Sequence, residues 1–77
     1  MKIQAQNLQV GDKIPAPAYE RKWLKSSLTV VSVEDGRVDK GGLWLKVRAT
    51  FESPYEAGAI RQDVFRYRPT TLIDKRS

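Results

Sequence analysis

The residues best suited to chemistry in this chain are basic and aromatic, and they fall into a few groups. Trp44, Lys46 and Arg48 alternate along one segment, Arg66 and Arg68 do so along a second, and Arg21, Lys22, Trp23 and Lys25 crowd a third. Lysine and arginine hold phosphates, while an aromatic ring offers bases a stacking surface worth about 1–3 kcal/mol each. Catalysis has much less to work with. The chain contains no cysteine and no histidine, so it has no imidazole to move protons near neutral pH, no thiolate nucleophile, and no soft or imidazole metal site. Its nine carboxylates are scattered, and only Glu34 and Asp35 are adjacent. Neighbours on an extended strand point to opposite faces. The expectation is a binding protein that is not an enzyme and carries no cofactor or metal.

Two segments have to position the first groups. Leu43, Leu45, Val47, Ala49 and Phe51 alternate with Trp44, Lys46, Arg48, Thr50 and Glu52, a period of two that predicts a strand with one apolar face. Ile60 to Arg68 resumes the β pattern after a loop containing Pro54 and Gly58. With Glu52 opposite Ile60 in an antiparallel hairpin, Trp44 faces Arg68, Lys46 faces Arg66 and Arg48 faces Val64. That register brings Leu43, Leu45, Val47 and Phe51 together with Phe65 and Tyr67 on the inner face, as a core requires. The outer face becomes a basic strip with a tryptophan at one end. Lys46 opposite Arg66 costs a few tenths of a kcal/mol unless an anion lies nearby, and a ligand phosphate would relieve it. A second reading makes Trp44 and Arg68 a structural cation–π pair capping the sheet.

The third group sits in a long segment after Pro15 and Pro17, which stop regular pairing because proline cannot donate a ladder hydrogen bond. Ala18 to Leu24 has room for one helical turn without a clear cap. Loops of about a dozen residues in compact domains are often functional, and Arg21, Lys22 and Lys25 around Trp23 have the composition of a nucleic-acid-binding loop. The alternative is that Trp23 closes one end of the fold over its core. Tyr55, beside Pro54, is a candidate interface residue, with a plain hairpin connection as the simpler reading. Gly36, Gly41 and Gly42 lack the lysine and helix of a phosphate-cradling loop and read as turn residues.

The remaining sequence predicts short strands broken by Gly and Pro. Leu8, Val10 and Ile14 surround a Gly11-Asp12 turn that leads into a short first strand. Leu28 to Glu34 is rich in β-branched residues and predicts a strand. Asp35-Gly36 reads as a turn, Arg37 to Lys40 as a short extended piece, and Leu72-Ile73 as a last short strand. No internal repeat, low-complexity tract or heptad is present. Five or six antiparallel strands in a mainly β chain imply a closed or half-open barrel, since closure removes exposed edges.

The opening Leu8-Gln9-Val10-Gly11-Asp12-Lys13-Ile14, an irregular loop, and then Leu28-Thr29-Val30-Val31-Ser32-Val33-Glu34 together resemble the start of Src-homology-3-like small barrels. Short bacterial and bacteriophage proteins are among these. The resemblance covers the first half of the chain, implies that fold with ligand binding along strand faces and loops, and transfers no functional residue.

At 77 residues the chain has room for one domain, spanning 1–77, and one core. Fourteen lysines and arginines against nine acids give +5, while a hydrophobic content of 40% supports folding. That charge favours an anionic partner. With no disulfide framework, no apolar leader and no stretch of membrane-spanning length, a cytoplasmic protein without a membrane partner is expected. Nucleic acid is the leading partner. The alternatives are a protein partner or a homo-oligomer anchored by Trp23, Trp44 and Tyr55, and an oligomer binding a small anionic nucleotide-like ligand.

Overall fold

A computed structural model of the chain describes residues 1–15, 27–53 and 55–76. The architecture is mainly β. Six strands occur among the described residues: β1 (Lys2–Gln4), β2 (Lys13–Ile14), β3 (Leu28–Asp39), β4 (Gly42–Glu52), β5 (Ile60–Tyr67) and β6 (Leu72–Asp74), with one 3-10 turn at Ala5–Asn7. They form an antiparallel four-stranded sheet in the order β2-β3-β4-β5, curled into a half-barrel, and a two-stranded sheet of β1 and β6. Main-chain bonds extend the β1–β6 ladder and tie it to β2. Arg76 N–H donates to the Lys13 carbonyl at 2.8 Å, and Lys75 N–H donates to that of Met1 at 2.8 Å.

The core lies on the inner face, where the alternating apolar sets meet. Phe65, Ile14, Leu28, Val30 and Val47 are fully enclosed, and burying each such side chain contributes roughly 1.5–3 kcal/mol. Leu45, Ala49, Phe51 and Tyr67 complete the β4–β5 part of this surface, with Leu43 packed at its margin. Phe51 and Phe65 meet edge to face at 6.2 Å. The expected register holds from Glu52 opposite Ile60 through Arg48 opposite Val64 and Lys46 opposite Arg66, and the ladder ends at Leu45 opposite Tyr67, one pair short of the expected Trp44–Arg68 pair.

The Gly11 turn takes the left-handed φ of +93° that its glycine permits. Buried Asp12 fastens this turn. Its Oδ2 accepts the Gln9 N–H at 2.8 Å while Oδ1 pairs with Lys75 Nζ at 3.2 Å.

Two local expectations are corrected. Asp35-Gly36 is not a turn, because β3 continues through it to Asp39 as one strand. The ladder slips between Asp35 and Val38, and Gly36 sits in that bulge for lack of room. A Cβ there would lie 2.8 Å from Lys46 Cγ and 2.9 Å from the Trp44 carbonyl oxygen. The chain reverses instead at Lys40-Gly41, where Asp39 Oδ1 accepts the Gly41 N–H at 2.8 Å and Gly42 adopts φ +106°. The second correction is β1, which the local pattern did not indicate. It offers Ile3 as its one apolar residue and is held by the distant β6, with Ile3 opposite Ile73. The expected helical turn at 18–24 and the cluster of Arg21, Lys22, Trp23 and Lys25 lie outside the described residues.

Candidate functional site

The outer face of β3, β4 and β5 carries the basic strip, and the ladder fixes its rows. Glu34, Lys46 and Arg66 stand side by side across the three strands, followed by Ser32, Arg48 and Val64. Thr29, Thr50 and Gln62 make the next row. Each of these alternates along its strand with a residue turned toward the core, so the same period that buries Val47 and Phe65 turns Arg48 and Arg66 outward. Arg48 and Arg66 are exposed and Lys46 is half-buried.

The strip is not internally neutralised. Among the described residues, Lys46, Arg48 and Arg66 have no ion-pair partner within 4.0 Å. Glu34 is opposite Lys46 in the ladder yet makes no such pair. Two cations therefore face each other at Lys46 and Arg66, an arrangement that costs a few tenths of a kcal/mol. A phosphate seated between them would reverse the sign of that term.

Arg68 and Trp44 do something different. The Arg68 guanidinium carbon lies 3.9 Å from the centroid of the Trp44 ring. Its Nη1 pairs with Asp39 Oδ1 at 2.9 Å and its Nη2 donates to Asp39 Oδ2 at 3.2 Å. Nη1 also donates to the Gly42 carbonyl at 3.0 Å. Trp44 Nε1–H donates to the same Asp39 Oδ2 at 2.7 Å. Gly41 makes room for this arrangement, since a Cβ on it would come within 2.6 Å of Arg68 Nη2. The Arg68 hydrogen bonds, then those from Trp44 and the Gly41 N–H, lower the Asp39 pKa from 3.8 to about 2. The charge of Arg68 is thus offset by the protein's own acid. This narrows the strip expected from sequence: Arg68 clasps the turn end of the β3–β4 hairpin, leaving Lys46, Arg48 and Arg66 without an acid partner among the described residues, beside half-buried Trp44.

Sequence reasoning missed Asp39, the residue that organises this end of the sheet. An aspartate directly before Lys40-Gly41-Gly42 was the available signal, because Asp side chains cap the turns they begin. Tyr55 is 85% exposed in the loop joining β4 to β5, where its N–H donates to Ser53 Oγ at 3.2 Å. It lies beyond the Glu52–Ile60 pair that ends the β4–β5 ladder, at the end of the sheet opposite Trp44.

The described residues hold no cluster of acids suited to a metal ion, and none of their helices is long and apolar enough to cross a membrane. Comparison with protein-family models, with curated proteins and with solved structures finds no match to this chain.

Proposed function

We propose that this protein is a non-enzymatic binding module of the small Src-homology-3-like barrel type, and that it holds nucleic acid on the outer face of β3, β4 and β5. One observation carries the reading: Lys46, Arg48 and Arg66 share one sheet face, and no acid among the described residues is paired to any of them. Such a face contacts the sugar-phosphate backbone and shows little sequence preference. Trp44, at the end of the strip, supplies a stacking surface whose ring is already held by Arg68 and Asp39.

Counterion release provides the test. With three phosphate contacts, affinity for a labelled oligonucleotide falls about ten- to fiftyfold between 50 and 200 mM salt, single strands at the lower end. Fluorescence anisotropy across that range measures it, and alanine at Lys46, Arg48 and Arg66 together removes nearly all of the salt dependence. Binding that is absent at low salt, or unchanged by salt, overturns the reading.

A further inference from the structure

Strand β5 ends the four-stranded sheet, and among the described residues no second strand pairs with it. Its outward main-chain groups can be assigned. Ser53 N–H donates to the Ala59 carbonyl at 2.8 Å, so the backbone of Ala59 faces β4. Groups alternate along an antiparallel strand, and therefore Arg61, Asp63, Phe65 and Tyr67 also face β4 while Ile60, Gln62, Val64 and Arg66 face the open edge. The Val64 N–H agrees independently: its partner is Asp63 Oδ1, at 2.7 Å, and not β4.

The geometry points to a second copy of this chain as the occupant of that edge, through antiparallel β5–β5 pairing centred on Gln62. A two-fold axis through the pairing keeps like faces together, so only residues of equal parity can oppose each other. Centred on Gln62, the register sets Arg61 against the partner subunit's Asp63 and Ile60 against the partner subunit's Val64, each twice by symmetry. Opposite charges meet on the inner side and apolar side chains meet on the outer. Ile60 is 68% exposed in the single chain, and the first four residues of β5, Ile60 to Asp63, are all exposed. A register centred on Val64 instead sets Asp63 against Phe65 and Arg61 against Tyr67, and leaves the charges unmatched.

Asp63 has two roles in this scheme. In the single chain its carboxylate covers the Val64 N–H and blunts the edge. On pairing, the Val64 N–H passes to the partner's Ile60 carbonyl, and the freed carboxylate meets the partner's Arg61. The side-chain pairs that fix this register use none of Lys46, Arg48 and Arg66, so the proposal does not depend on nucleic-acid binding.

Sedimentation equilibrium of the full chain, from low micromolar to millimolar concentration, tests it. The expected mass rises from one chain to two. Arg61→Asp and Asp63→Arg, made singly, each weaken association about tenfold, since each sets two pairs of like charges across the strands. The double exchange Arg61→Asp with Asp63→Arg restores affinity to within about threefold, because the pairs are re-formed with signs reversed. Val64→Pro removes an edge donor that β4 does not use, so it abolishes association while far-ultraviolet circular dichroism stays native. A single-chain mass at every concentration, or association that the charge reversals leave unchanged, overturns the proposal.

Discussion

Arg68 lies over the ring of Trp44, 3.9 Å from its centroid, while its guanidinium also grips both oxygens of Asp39. One acid thereby joins the indole N–H to the cation stacked on the same indole. The arrangement ties the last residue of β3 to the start of β4 at Gly42 and Trp44 and to the residue following β5. It holds the hairpin end closed with polar contacts where the buried core no longer reaches.

Replacing Arg68 with alanine tests this assignment. The cation–π contact alone contributes about 1 kcal/mol at a partly exposed site, so the urea midpoint falls measurably. The salt dependence of oligonucleotide binding stays as in the native protein, because Arg68 is already matched to Asp39. Lysine at the same position recovers only part of the stability, since an ammonium cannot make the two-pronged contact.

Acid should open the same lock. The Asp39 pKa is depressed by the Arg68 hydrogen bonds first and those from Trp44 and Gly41 next, so the folded value of about 2 lies below the ordinary 3.8. The contribution is therefore complete above about pH 4 and is lost as pH falls toward 2. The Trp44 indole N–H resonance, followed by NMR, is expected to move with a midpoint near 2. Asp39→Asn abolishes that titration.

Two glycines should respond differently to substitution. Gly36→Ala drives a methyl against the Trp44 carbonyl, which is backbone and cannot rotate away, and the overpacking costs about 1–3 kcal/mol. Gly42→Ala meets no atom within 4 Å and is penalised through its φ of +106° instead, by about 1–2 kcal/mol. Denaturant unfolding gives both values. Only Gly36→Ala is expected to displace Lys46, whose Cγ is the nearest atom, and thereby to weaken oligonucleotide binding as well.

Stability and binding should part at Arg66. Arg66→Thr removes a like-charge pair with Lys46 and keeps a good strand former, so the fold gains a few tenths of a kcal/mol. Oligonucleotide affinity falls, and the slope of log affinity against log salt flattens by about 0.7–0.9 for one lost phosphate contact. Thermal melts and anisotropy on the same variant provide the two readings.

The alternation Leu43, Leu45, Val47, Ala49, Phe51 was enough to place the β4 core face and, with Phe65 and Tyr67, the β4–β5 register. A shift of one residue would have turned every one of these side chains to water. The same constraint puts Lys46, Arg48 and Arg66 on a common outer face. Asp35-Gly36 misled, because a glycine chosen for a close approach to a neighbouring strand looks locally like one chosen for a turn.

What only the tertiary structure decided is which distant groups meet. Composition and period set which side of a strand a residue occupies, since that depends on its immediate neighbours. The pairing of β1 with β6 and the grip of Asp39 on Arg68, 29 residues away, depend on how the whole sheet curls. No local pattern encodes that curl, and so of the four cations on the strip Arg68 is matched to an acid of the fold, while Lys46, Arg48 and Arg66 have no acid partner among the described residues.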